Sequence, residues 1–126
     1  MSTNGKTVLL VEDNEDNRIV YSTILRHFGY SVTEALNGEE GIAKARSEKP
    51  DLILMDIQLP LLDGYEATRR IKADPALRAI PIIVVTSYAL SGDEVEARKA
   101  GADAYVPKPY SPRQLLAKIK EYLPTS

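Results

Sequence analysis

Cysteine is absent from the 126 residues of the chain. This absence excludes a disulfide framework and any thiolate that could bind a metal or act as a nucleophile, and it fits a reducing cytosol. Long apolar runs are absent too, because Val8 to Val11 and Ile82 to Val85 are too short to cross a bilayer. The first six residues lack the apolar core of a signal peptide. We therefore expect a cytoplasmic protein with no membrane partner.

The chain also lacks a strong excess of one charge. Its 16 basic and 18 acidic residues are spread along the whole length and leave a net charge of −2, so no basic stripe is available for a phosphate backbone. Nucleic acid is not an expected partner. With 44% hydrophobic residues, the length suits one domain over residues 1–126, with a core from about 6 to 123.

Five short apolar runs alternate with polar segments that are compatible with helices. These runs are Thr7 to Val11, Ser31 to Ala35, Leu52 to Met55, Ile80 to Val85 and Ala104 to Val106. The runs around Val8 and Ile82 are continuously apolar, as in strands buried on both faces of a parallel sheet, so the middle strands should be central. The alternation predicts an α/β fold with a doubly wound, five-stranded parallel sheet.

Two of the helices have clear boundaries in the sequence. The first should begin after Asn14 as its cap and end at Gly29. The side chains expected to be buried on it are Ile19, Ile24, Leu25 and Phe28. The last should begin at Ser111-Pro112 and stop at Pro124. Its apolar stripe is Leu115, Leu116, Ile119, Tyr122 and Leu123. Gly38, Gly64 and Ser91-Gly92 mark where the other three should begin.

Polar residues that could bind a ligand or take part in a reaction follow four of the predicted strands. They are Glu12 and Asp13 after the first strand, Asp56 after the third, Thr86 after the fourth and Lys108 after the fifth. Ligands of doubly wound sheets bind outside the carboxyl ends of the strands, where the strand order reverses. Each residue alone is explained by turn formation, capping or solvation. Their convergence on one edge is not, and it predicts a site.

The chemistry of this set favours a hard cation and a phosphoryl group. Two carboxylates about 4 Å apart repel by about 4 kcal/mol at an effective dielectric near 20, so three of them require a cation or raised pKa values. Because the candidate ligands are oxygens, Mg²⁺ is the expected ion. Lys108 and Thr86 suit phosphoryl oxygens, and a carboxylate nucleophile can form an acyl phosphate.

Four stretches of the chain resemble the receiver domain of response regulators in two-component systems, as in chemotaxis regulators. They are VLLVEDN from Val8, PDLILMDIQLPLLDG from Pro50, IIVVTS from Ile82 and AGADAYVPKPYSPRQL from Ala100. The resemblance covers the chain from end to end, and it implies a flavodoxin-like (βα)5 fold with strand order 2-1-3-4-5.

Pro107 lacks a backbone donor, so the fifth strand should lie at an edge.

The resemblance also implies a role for each site residue. Asp56 would accept the phosphoryl group, and Lys108 and Thr86 would contact it. Asp13 would bind Mg²⁺ directly, Glu12 chiefly through water, and Gln58 through its backbone carbonyl. Asp56 would also be a ligand of the ion. Thr86 and Tyr105 would form the switch.

The expected function is a phosphorylation-driven interaction switch, which catalyses only its own phosphorylation and dephosphorylation. A sensor histidine kinase or phosphotransfer protein would donate the group. The fourth helix, fifth strand and fifth helix would form the face for a downstream protein target, and dimerisation on phosphorylation is left open. Because the chain ends soon after the fifth helix, we expect no attached effector domain.

Three alternative functions compete with this one. A haloacid-dehalogenase-like phosphatase has a second Asp two residues after its nucleophile, whereas Asn14 and Glu15 follow Asp13 here. A flavodoxin-like electron carrier would need donors in the first loop, which is acidic in this chain. A receiver that binds without phosphorylation is the third alternative, although every key position is filled. His27 is expected to be a surface or half-buried side chain at the end of the first helix, away from the carboxylates.

Overall fold

The computed structural model describes residues 6–57, 62–86, 93–107 and 112–123, and for Thr86, Asp93, Glu94 and Pro107 it describes the backbone alone. Strands and helices alternate strictly along these residues. The elements are β1 (Thr7–Val11), α1 (Glu15–His27), β2 (Ser31–Ala35), α2 (Gly38–Glu48), β3 (Leu52–Asp56), α3 (Gly64–Ala73), β4 (Ile82–Thr86), α4 (Asp93–Ala100), β5 (Ala104–Pro107) and α5 (Pro112–Tyr122).

The strands form one parallel sheet in the order β2-β1-β3-β4-β5. This order confirms the predicted fold, the central position of β1, β3 and β4, and the edge position of β5. The fourth strand begins at Ile82, two residues later than predicted. Ile80 instead donates its N–H to the carbonyl of Leu77 at 2.9 Å, so it belongs to the turn that follows α3.

Alternate residues of each inner strand bury opposite faces of the sheet. One core cluster packs under α2, α3 and α4 and includes Leu9, Val11, Ile53, Met55, Ile82 and Val84. The other packs under α1 and α5 and includes Val8, Leu10, Leu52, Leu54, Ile83 and Val85. The continuous apolar runs are therefore explained by burial on both faces, as expected for a doubly wound sheet.

Helix α1 has the predicted ends but not the predicted buried face. The Asn14 side chain accepts from the N–H of Asn17 at 2.9 Å, and Gly29 adopts a left-handed φ of 93° after the helix. Ile19 and Phe28, however, are 56% and 40% exposed, so the prediction that they are buried is wrong. Leu25 is buried as predicted, and Ile24 is half-buried.

The inward stripe of α1 is partly polar, which explains the error. Arg18, Ser22 and Leu25 share one face at the i, i+4, i+7 spacing. The Arg18 and Ser22 side chains bond to the β1–α1 loop and to β2, so this face turns towards the protein while the Ile19 face turns to solvent. An apolar periodicity cannot reveal a buried stripe that is held by hydrogen bonds.

The predicted starts of α2, α3 and α5 and the predicted stripe of α5 agree with the structure. α5 begins at Pro112, and it buries Leu115, Leu116 and Ile119. Leu123 beyond it is buried and Tyr122 is half-buried. Helices α2 and α3 begin at the predicted glycines, capped by Asn37 and Asp63. The predicted start signals Ser91-Gly92 and Ser111, and the stop at Pro124, lie outside the described residues. Among helices within the described ranges, none has the length and apolar character to span a membrane.

Candidate functional site

The register of the sheet brings the ends of β1 and β3 together. Val11 pairs with Met55, so Glu12 and Asp56 occupy the next position on neighbouring strands. The hydrogen bonds between strands continue one residue beyond the end of β1, since Glu12 donates its N–H to the carbonyl of Ala35 at 3.0 Å. Beyond Asp56, Ile57 donates its N–H to the carbonyl of Val85 at 3.1 Å. Both acidic residues therefore extend from ordered backbone at the carboxyl edge of the sheet.

Three carboxylates meet at this edge. One oxygen from each of Glu12, Asp13 and Asp56 lies within 4.8 Å of the other two. Glu12 and Asp56 are 1% and 6% exposed, whereas Asp13 is exposed to solvent. The structure thus brings together the three acidic residues that the sequence placed after the first and third strands.

Main-chain contacts hold the β1–α1 loop in this position. The N–H of Asn14 donates to Glu12 Oε2 at 3.1 Å, which orients the carboxylate from the start of α1. The guanidinium of Arg18 donates to the carbonyls of Glu12 at 3.2 Å and Asp13 at 3.0 Å. Arg18 is not among the site residues predicted from the sequence. The one feature of the sequence that points to Arg18 is a cation one turn into the helix that follows an acidic loop.

A glycine holds the other side of the site. A Cβ added to Gly64, the first residue of α3, would lie 2.2 Å from the carbonyl oxygen of Asp56. The Gly64 N–H donates to the carbonyl of Ile57 at 3.0 Å, so the helix start is bonded to the end of β3. The sequence marks Gly64 as a helix start but does not reveal its contact with Asp56.

The three carboxylates and the spacing of their oxygens fit a hard divalent cation. At a separation near 5 Å, each carboxylate pair repels by roughly 3 kcal/mol at an effective dielectric of about 20. Burial of Glu12 and Asp56 removes water that would otherwise screen this repulsion. Oxygen ligands in a partly open cluster suit Mg²⁺, which retains several waters. The arrangement can therefore bind such an ion and present a carboxylate beside it.

The remaining predicted site residues are only partly described. Thr86 ends β4, directly after Val85, the register partner of Asp56, but its side chain is outside the description. Gln58 and Lys108 also lie outside the described residues. Tyr105 in β5 is half-buried and packs against the core cluster beneath α2, α3 and α4. His27 is exposed at the end of α1, as predicted.

Comparison with known proteins gives a consistent family relationship. Residues 8–120 match the family model described as the response regulator receiver domain. The chain is 45% identical over 118 residues to the polar-differentiation response regulator DivK of Brucella anthropi, covering 94% of this chain and 96% of that protein.

Solved structures with the same fold include receiver domains. The receiver domain of sensor histidine kinase PA1611 from Pseudomonas aeruginosa PAO1 superposes with a TM-score of 0.88 at 40% identity, covering 94% of this chain and 98% of that one. That structure has a magnesium ion coordinated in its active-site cleft. The Vibrio cholerae chemotaxis protein CheY4 gives a TM-score of 0.89 at 28% identity, covering 94% of this chain and 99% of that one.

Proposed function

Because the chain belongs to the response regulator receiver family of two-component signalling, we propose that it is a phosphorylation switch with Asp56 as the phosphoacceptor. The observation that carries this proposal is the cluster of Glu12, Asp13 and Asp56, with one oxygen of each within 4.8 Å of the others. Asp56 is the member at the end of the central strand β3, between the other two acidic residues and the end of β4.

The proposed cofactor is Mg²⁺. Asp13 and Asp56 would hold it directly and Glu12 chiefly through water, with the backbone carbonyl of Gln58 as a further ligand. When bound, the ion would offset two of the three carboxylate charges and supply a Lewis acid for phosphoryl oxygens. The magnesium ion in the receiver domain of PA1611 supports this choice.

The proposed reaction transfers one phosphoryl group to Asp56. A carboxylate oxygen of Asp56 forms a bond to phosphorus as the bond from phosphorus to the donor nitrogen of a phosphohistidine breaks. The departing imidazole keeps that electron pair and later takes a proton from solvent. Lys108 and Thr86 would stabilise the phosphoryl oxygens, because phosphoryl transfer depends chiefly on alignment and charge neutralisation. Hydrolysis of the acyl phosphate would reset the switch.

The proposed output is a change in protein contacts, not turnover of a substrate. The donor would be a sensor histidine kinase or a phosphotransfer protein. Thr86 and Tyr105 would pass the change to the face formed by α4, β5 and α5, which would bind a downstream target or a second copy. We propose that residues 1–126 act as one domain, in the cytoplasm.

Incubation with acetyl phosphate, with and without Mg²⁺, tests this function by intact mass measurement. The proposal expects one phosphoryl group per chain when Mg²⁺ is present and almost none when EDTA removes it. Absence of any adduct with Mg²⁺ would reject the phosphoacceptor function. Multiple turnover of a generic phosphate ester would instead support a phosphatase, the main enzymatic alternative.

A further inference from the structure

We infer that Arg18 is a positioning residue for the carboxylate cluster, and that Glu34 and Ser22 hold Arg18 in place from outside the site. This inference rests on the proposed Mg²⁺ function of the cluster. It concerns how the metal-binding loop keeps its shape. It also connects the site with β2, at the edge of the sheet opposite β5.

Arg18 contacts the main chain of both acidic residues of the first loop. One nitrogen of its guanidinium donates to the carbonyl of Glu12 at 3.2 Å and to that of Asp13 at 3.0 Å. Two bonds from one rigid, planar group fix two consecutive peptide units relative to α1. The directions in which the Glu12 and Asp13 side chains leave the main chain are thereby restricted.

A second set of contacts fixes the guanidinium itself. Arg18 Nε lies 3.8 Å from Glu34 Oε1 on β2, and the hydroxyl of Ser22 donates to Glu34 Oε2 at 2.5 Å. The ammonium of Lys44 on α2 donates to the backbone carbonyl of Glu34. Ser22 is 3% exposed and the Arg18 side chain 15% exposed, whereas the Glu34 side chain is 37% exposed, so the network is shielded from water at its α1 end. Side chains that hold metal ligands from behind affect metal affinity strongly.

Geometry and charge make opposite predictions for removal of Arg18. As a cation near the cluster, Arg18 repels Mg²⁺, so on charge alone its loss would tighten metal binding. As a positioning residue it keeps the carboxylates gathered, so its loss would weaken binding. The negative charge of Glu34 beside the guanidinium reduces the repulsion. We therefore expect the positioning effect to dominate.

Isothermal titration calorimetry with Mg²⁺ on the full chain tests the inference. Arg18→Met, which keeps most of the apolar stem, should weaken Mg²⁺ binding by about tenfold. Arg18→Lys should recover part of that loss, because an ammonium can still donate to a carbonyl. The matched control is Arg26→Met, on the same helix, since exposed Arg26 also donates to a carbonyl, that of Val32 at 3.3 Å, but away from the cluster. This control should bind Mg²⁺ like the wild type.

Ser22→Ala provides a second variant, which changes no charge. It removes the hydroxyl bond to Glu34, and the inference expects an about threefold loss of Mg²⁺ affinity. Circular dichroism identifies which variants are folded. If Arg18→Met does not fold, Ser22→Ala decides the question. Unchanged or tighter Mg²⁺ binding in folded Arg18→Met, or unchanged binding in Ser22→Ala after failure of Arg18→Met, overturns the inference. Absence of Mg²⁺ binding by the wild type would instead overturn the proposed function.

Discussion

Gly64 allows α3 to begin directly against the residue proposed as phosphoacceptor. A Cβ at this position would lie 2.2 Å from the carbonyl oxygen of Asp56 and 2.7 Å from the Cα of Ile57. Both neighbours are backbone atoms, so a side-chain rotation cannot relieve the overlap. Either α3 or the end of β3 has to move to accommodate a larger residue.

Gly64→Ala should therefore destabilise the protein, despite the better helix propensity of alanine. We expect a loss of about 2 kcal/mol in the free energy of unfolding, as for overpacking elsewhere, together with weaker Mg²⁺ binding. Urea denaturation and Mg²⁺ titration measure the two effects. Lys120→Ala, at an exposed position of α5, is the control. Wild-type stability and Mg²⁺ affinity in Gly64→Ala would show that the close approach is unimportant.

At the residue scale, the sequence predicts ligands better than it predicts their supports. Glu12, Asp13 and Asp56 are recognisable because strand ends meet at one edge of a parallel sheet. Arg18 is not recognisable in this way, because its position depends on Glu34, which comes sixteen residues later and pairs with α1 only in the folded protein.

The exposed face of α3 introduces a dependence of stability on pH. Hydrogen bonds from Arg70 and Arg69 to Glu66, each at 3.1 Å, lower the pKa of this carboxyl below its ordinary value. A lowered folded-state pKa contributes stability at pH values above the unfolded-state pKa. That contribution is lost as the pH falls through the folded-state value. Because Glu66 is solvent-accessible, we expect the effect to be small.

Urea midpoints of the wild type and Glu66→Gln measure this effect. The difference should be constant between pH 7 and about 5 and should shrink as the pH falls below about 4, where the carboxyl becomes protonated. Glu96→Gln, at an exposed position of α4, controls for the change in net charge. A difference that stays constant down to pH 3 would contradict the role of the two arginines.

At the element scale, strand positions are predictable and helix faces are less so. β1 and β2 have the predicted bounds, and for β1 the reason is an apolar run that ends abruptly at Glu12. The face of α1 could not be predicted from apolar periodicity, because its inward positions carry the polar Arg18 and Ser22. Ile19 remains exposed as a result.

At the scale of the whole molecule, a network of hydrogen bonds around Lys72 lies at the end of the sheet opposite the carboxylate cluster. Near the amino ends of β4 and β5, the Lys72 ammonium donates to Asp103 Oδ2 at 2.8 Å and to the carbonyls of Arg78 and Ile80 at 3.0 and 2.8 Å. Asp103 Oδ2 also accepts from the N–H of Ile82 at 2.8 Å. Lys72 therefore connects α3 with the start of two strands, far from the carboxylate cluster.

Lys72→Met should lower the free energy of unfolding by about 2 kcal/mol, because it leaves partly buried acceptors without their donor. It should leave Mg²⁺ affinity unchanged, since the cluster lies at the carboxyl edge. Lys118→Met is the matched control, because Lys118 pairs with exposed Glu121 at 3.3 Å and should contribute less than 1 kcal/mol. Equal losses in the two variants would show that the connection made by Lys72 has no special importance.

The central claim is that Asp56 accepts a phosphoryl group, and intact mass measurement after incubation with Mg²⁺ and acetyl phosphate tests it most directly. Three proteins are compared: the wild type, Asp56→Asn, and Asp51→Asn at the opposite end of β3, where Asp51 accepts from the N–H of Thr7 at 2.8 Å. The account predicts one phosphoryl adduct on the wild type and on Asp51→Asn, and none on Asp56→Asn. An undiminished adduct on Asp56→Asn would contradict it.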